Sequence, residues 1–202
     1  MVDTSEAAPA SSRRFRAMNP FHYEQSWRIP VPGLDRYACS VEAIWQSLKI
    51  VDGQVALGML RGLPSKRPPE HERREAFSYE ASTLRYGNRT LDLVSARYLI
   101  YLPAYLHVLD RLVPDSVVDE ITGALSSGRD VLFYDWDDNF DIEDPRASFS
   151  HSAVLAAWFG ADLEERFVER RERWLRNHAR TLTPEAAPEP LQLDRYRHLH
   201  HR

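Results

Sequence analysis

The stretch Ser40-Val41-Glu42-Ala43-Ile44-Trp45-Gln46-Ser47-Leu48-Lys49 decides how the rest of the chain is read. Ser40 suits an N-cap, Glu42 puts a negative charge in the first turn, and Val41, Ile44, Trp45 and Leu48 recur at helical spacing until Asp52-Gly53 stops the run. A helix is expected here. Along it Glu42, Gln46 and Lys49 stand at i, i+4 and i+7, and at about 100° per residue they fall in one narrow stripe. That stripe borders the apolar one, where the rim of a pocket would lie. The same spacing also describes a solvated face carrying one ion pair.

Lys49 stands out for a second reason. Of 26 cationic side chains, 24 are arginines and only Lys49 and Lys66 are lysines. Arginine keeps its charge at every relevant pH, whereas a lysine amine can lose its proton when desolvated and act as a base or form a Schiff base with a carbonyl. A lysine retained in so arginine-rich a chain points to amine chemistry, set against the plainer reading of two leftover surface lysines.

With 202 residues and 43% apolar content the chain can bury one sizeable core. A net charge of −4 argues against a protein that mainly coats nucleic acid, and leaves a nucleotide-sized ligand compatible. The single cysteine, Cys39, excludes an internal disulfide, reads as a small buried side chain, and fits a cytoplasmic setting. Residues 1–18 hold no apolar core of signal-peptide length and read as disordered; no stretch is long enough to span a membrane. One globular domain over 19–180 and a flexible tail over 181–202 complete the expected organisation.

Residues 19–37 mix aromatics with three prolines and suit extended segments or a short hairpin. A second helix is expected over Gln54–Leu60. The Pro-rich cationic stretch from Arg61 to Arg74 reads as a loop feeding a short helix through Ser82. Between 90 and 112 the apolar residues fit two consecutive helices or one kinked at Pro103. Asp115–Ser126 is another helix, Val131–Tyr134 the best strand candidate, 135–146 an acidic loop, and helices resume over Ser150–Phe159 and from Gly160 to about Arg180. The fold class is mainly α, an α+β chain with a minor β part.

The motif Glu42-x-x-x-Gln46-x-x-Lys49, preceded by an aromatic segment and followed by Gly62-Leu63-Pro64-Ser65-Lys66-Arg67, resembles the opening half of the NADAR family of YbiA-like N-glycosidases. The resemblance extends over roughly 36–160. It implies a helical fold of that type, cleavage of an N-glycosidic bond to ribose in an ADP-ribosylated or phosphoribosylated molecule, and a Schiff base between Lys49 and the ring-opened sugar, with Glu42 as acid/base. The family's later signature, an Asp followed closely by Trp-Gly, is replaced by Asp135-Trp136-Asp137-Asp138-Asn139, without the glycine.

The acidic loop admits other readings. Val131–Tyr134 followed by Asp135-x-Asp137 is similar to the first motif of haloacid-dehalogenase-type phosphatases, although those begin with this motif and continue into a doubly wound domain. Asp135, Asp137, Asn139 and Asp141 follow a calcium-loop alternation, with Phe140 in place of the turn glycine and Arg146 in place of the closing glutamate.

The expected site therefore has Glu42, Lys49, Asp135 and Asp137 as catalytic groups and Trp45, Gln46, Lys66, Arg67, Asp138 and His151 as substrate contacts. Gln46 would orient the sugar, Lys66 and Arg67 would hold phosphate, and the aspartates would stabilise a cationic ribose. Neither metal nor cofactor is called for. The partner is a nucleotide-like small molecule, such as ADP-ribosylated guanine, with nucleic acid only as a modified substrate and no membrane. The alternative is a non-catalytic nucleotide-sensing or protein-interaction domain on the same scaffold.

Overall fold

The computed structural model of the chain describes residues 1–5, 7–67, 79–178 and 188–201. The fold is mainly α with short strands at its margins. Helix α1 spans Val41–Leu48, and Ser40 caps it through Oγ, which accepts the Ala43 N–H at 3.1 Å. Its apolar stripe is buried in the main hydrophobic cluster.

The central scaffold is a helical rod over 93–112. Asp92 opens it, its carboxylate accepting the Ser95 N–H at 2.9 Å and the Ser95 hydroxyl at 2.6 Å. The rod passes from α2 (Leu93–Ala96) through a π turn (Arg97–Tyr101) to α3 (Leu102–His107) and a second π turn (Val108–Leu112). The expectation was two consecutive helices or one kinked at Pro103; one continuous rod with π turns on either side of α3 is found. Proline lacks an N–H and crowds the preceding turn, and the i→i−5 bond from Leu102 N–H to the Arg97 carbonyl widens the helix just before Pro103. Tyr98, Leu99, Ile100, Leu102, Tyr105 and Leu106 are fully buried along it.

Around the rod pack α4 (Asp115–Ser126), α5 (His151–Phe159) and α6 (Glu169–His178), the last preceded by a π turn over Glu164–Val168. Pro114 occupies the N-cap position of α4, and Asp115 is its first residue, placing a negative charge in the first turn. Gln54–Leu60 does not form the expected α-helix. Val51 and Gln54 close a tight turn through Asp52 and Gly53, both at positive φ, and a 3₁₀ segment follows over Leu57–Arg61.

Strand β1 (Val2–Asp3) pairs in parallel with β6 (Phe133–Tyr134), the latter being the end of the expected Val131–Tyr134 strand. The hairpin of β2 (Ile29–Pro30) and β3 (Tyr37–Ala38) forms within the Pro-rich opening, as expected. A third pair, β4 (Leu84–Tyr86) and β5 (Arg89–Leu91), turns through Gly87-Asn88 with Gly87 at φ +56°. The expectation had placed residues 90–92 at the start of a helix.

Two terminal expectations are corrected. Residues 1–18 are not a loose leader: Val2, Phe15 and Met18 are buried, and the Met18 carbonyl accepts the Tyr105 hydroxyl at 2.6 Å. In the C-terminal part, α7 (Asp194–His200) packs Leu193 and Tyr196 into the core, and the Asp110 carboxylate accepts the Arg195 N–H at 2.7 Å. The expected flexible stretch over 181–187 and the short helix expected within 68–78 lie outside the described residues. Among the described residues no helix is long and apolar enough to cross a membrane.

Candidate active site

One cavity of about 480 Å³ opens between α1, the rod and the acidic loop. Helix α1 contributes Glu42, Trp45, Gln46 and Lys49; the loop after the 3₁₀ segment contributes Lys66 and Arg67; the acidic loop contributes Asp135, Trp136 and Asp137; α5 begins with His151. The i, i+4, i+7 stripe thus lines a concavity. Asp138 does not: it is exposed and absent from the cavity wall.

Lys49 closes α1 and is only 9% exposed. One turn before it, Gln46 is clamped at both ends of its amide: Nε2 donates to Glu42 Oε1 at 2.7 Å, and Oε1 accepts the Arg67 N–H at 3.0 Å. Gln46 therefore positions Glu42, where the expectation had it orienting a sugar. Arg67 is likewise reassigned. Its guanidinium donates to the carbonyls of Gln46 (2.8 Å) and Lys49 (3.0 Å), satisfying orphan acceptors at the helix end, and to that of Gln54 (3.3 Å) in the turn beyond. Those donors are committed to the fold and are not spare for phosphate.

Burial pushes the Glu42 carboxyl above the usual carboxylate range. The Gln46 hydrogen bond and the charges of Lys66 and Lys49 oppose that rise only in part, and nearby Asp137 adds to it. Asp135 has the opposite balance. Burial alone would raise it, but the hydrogen bond and charge of His151, the Ser150 hydroxyl and the Trp136 N–H together hold it at about 2. Its Oδ2 lies 2.7 Å from His151 Nδ1 and also accepts the Ser150 hydroxyl at 2.7 Å and the His151 N–H at 2.9 Å; Oδ1 accepts the Trp136 N–H at 2.7 Å. The other ring nitrogen of His151 meets the Thr4 hydroxyl at 2.7 Å. Asp135 and His151 are thus a buried, mutually satisfied pair. Asp137 is the less committed aspartate, with one oxygen accepting the Ser148 hydroxyl at 2.9 Å.

Several wall residues carry no motif and were missed. Arg97 and Tyr101 stand at the two ends of the π turn in the rod, and both line the cavity. Arg97 reaches under the acidic loop to donate to the carbonyls of Ile142 (3.1 Å), Asp144 (2.6 Å) and Ala147 (2.5 Å). Tyr101 meets Trp45 edge-on at 6.1 Å and Phe149 edge-on at 6.0 Å, building an aromatic wall. Burial and the carboxylates of Asp135, Glu42 and Asp137 drive the Tyr101 phenol well above its ordinary value, so it keeps its proton as a donor. The π pattern, with two aromatics and a cation buried on one helix, was the available signal.

The acidic loop spends much of its charge on itself. Asn139, Asp141 and Asp144 each accept a backbone N–H two residues on, while Asp141 and Glu143 pair with Arg170 at 2.8 and 3.3 Å. Among the described residues no group of three His, Cys, Asp or Glu side chains is gathered as a metal site. Cys39 is buried and does not line the cavity.

A family model described as "Family of unknown function (DUF6939)" matches residues 2–155. The chain belongs to that family. The DUF6939 segment contains every residue of the cavity wall and also Thr4 behind His151, while α6 and α7 lie beyond it. No curated protein and no solved structure matches the chain.

Proposed function

We propose that this DUF6939 protein is an N-glycosidase-like hydrolase that cleaves the bond between ribose and a base nitrogen in an ADP-ribosylated or phosphoribosylated compound. The observation that carries this reading is the convergence, in one cavity of nucleoside-accommodating size, of the buried Lys49 amine with a Glu42 carboxyl biased toward its protonated form.

The unprotonated Lys49 Nζ attacks C1 of the ribose. The C1–N bond breaks, its electron pair leaves on the base nitrogen, and that nitrogen takes the proton of Glu42. Asp137 faces the positive charge that builds at C1, and Tyr101 donates to a sugar hydroxyl. The lysine–C1 adduct then opens: Nζ gives a proton to the Glu42 carboxylate, the C1–O4 bond breaks as O4 takes that proton from Glu42, and a Schiff base forms. Water adds across it with Glu42 as base, the Nζ–C1 bond breaks, and the free sugar leaves with Lys49 restored. Gln46 holds Glu42 in place throughout, and the Asp135–His151 pair fixes the floor.

The test is chromatographic. Wild-type protein incubated with ADP-ribosylated guanosine or a phosphoribosylated aminopyrimidine releases the free base, and Lys49→Arg and Glu42→Gln each lower the rate at least about 100-fold. Wild-type turnover in Lys49→Arg sinks the proposal, because arginine forms no Schiff base. Nucleotide binding without cleavage in the wild type leaves the non-catalytic sensing reading.

A further inference from the structure

Exposure sorts the cavity wall into a floor and a mouth. Lys49, Gln46 and His151 are nearly out of solvent, whereas Trp136 is 74% exposed and Lys66 is exposed, although both belong to the same wall. An exposed indole in the wall of a polar cavity presents a flat aromatic face to whatever occupies that cavity. Its position is nevertheless fixed. The backbone N–H of Trp136 is held by Asp135 Oδ1 at 2.7 Å, and Tyr134 meets the indole at a steep angle with centroids 6.0 Å apart, so its ring is placed while most of its surface stays open.

Charge follows the same division. Glu42, Asp135 and Asp137 make the interior unwelcoming to a phosphate, and the guanidiniums of Arg67 and Arg97 are committed to backbone carbonyls. Lys66 is different: its Nζ lies 5.9 Å from the Phe21 ring centroid and forms no ion pair among the described residues. The mouth therefore offers a flat π surface and a cation, the complement of a planar base and an anion.

We infer that Trp136 is a stacking platform for the heterocyclic base of the ligand and Lys66 the anchor for its phosphate, so that the site takes nucleotides and discriminates against sugar phosphates that lack a base. The inference deepens the glycosidase reading by naming where base and phosphate sit, and it is tested without cleavage.

The probe is formycin 5′-monophosphate, a purine-like C-nucleotide whose carbon–carbon glycosidic bond no N-glycosidase hydrolyses, compared by calorimetry with ribose 5-phosphate and with formycin itself. The wild type binds the C-nucleotide at least about ten-fold more tightly than ribose 5-phosphate. Trp136→Ala, with an unchanged circular dichroism spectrum, weakens C-nucleotide binding by roughly ten- to a hundred-fold, leaves ribose 5-phosphate unaffected, and Trp136→Phe restores most of the loss. Lys66→Ala removes the advantage of the C-nucleotide over formycin. Equal affinity in wild type and Trp136→Ala, or no binding of the C-nucleotide by the wild type, overturns the inference. Trp136-dependent binding in a protein that cleaves no N-glycoside upholds the subsite and sinks the hydrolase.

Discussion

Gln46 joins Glu42 to the loop that follows the 3₁₀ segment: Nε2 donates to Glu42 Oε1 at 2.7 Å while its own Oε1 accepts the Arg67 N–H at 3.0 Å. The carboxyl is thus held from outside its own helix, and anything that loosens the 66–67 loop reaches Glu42 through this amide. Gln46→Leu keeps the side chain's length but releases Glu42. It lowers kcat by about ten-fold or more with little change in KM, whereas loss of a sugar contact would raise KM.

Glu42 links stability to pH. Its carboxyl is raised in the folded state by burial, so the native protein binds the proton more tightly than the unfolded chain. The stability contributed is fully present below the ordinary carboxylate pKa and is lost as pH rises through the raised value. Glu42→Gln removes that loss. The variant therefore melts at a higher temperature than wild type at pH 8, and the difference closes toward pH 4; thermal unfolding at the two pH values checks this.

Asp135 carries the opposite sign. Its carboxyl is held at about 2, below its ordinary 3.8, so its stabilisation is present above the unfolded value and disappears as pH falls from about 4 to about 2. Asp135→Asn destabilises at pH 7 by roughly 1–2 kcal/mol after discounting for solvent screening. Denaturant titration at pH 7 and again at pH 3 should show the difference between variant and wild type shrinking.

Arg67 and Lys66 are neighbours with separate consequences. Arg67→Ala leaves the Gln46 and Lys49 carbonyls at the end of α1 without this donor, while the Gln54 carbonyl keeps the Val51 N–H, and costs about 1–3 kcal/mol of stability. Lys66→Ala leaves stability within about 0.5 kcal/mol and weakens binding of phosphate-bearing ligands in a salt-sensitive way. Equilibrium unfolding and calorimetry on both variants separate the two roles.

What the sequence discloses is set by how local the signal is. Helix α1 is legible because cap, first-turn charge and apolar period all lie within a short stretch; it ends at Leu48, ahead of the expected stop at Asp52-Gly53, which makes a separate turn. The shared stripe of Glu42, Gln46 and Lys49 is legible for the same reason. What each group binds is less so: Gln46 meets Glu42 within the helix but also Arg67, 21 positions away, and His151 meets Thr4, 147 positions away. The N-terminal segment reads as disordered because its few large apolar residues have no helical or strand period; tertiary burial holds Val2, Phe15 and Met18. The β4–β5 hairpin did have a local signal, a two-residue Gly87-Asn88 turn between short apolar flanks. It was overridden by the stronger helical period that follows.

The central claim is covalent chemistry at Lys49. Wild-type protein mixed with ADP-ribose and a borohydride reductant that traps imines, then measured by intact mass and peptide mapping, tests it most directly. The account predicts one sugar adduct, confined to Lys49 and absent in Lys49→Arg. Adducts spread over Lys66 and the N-terminus alike, or none at Lys49 while ADP-ribose is bound, would contradict it.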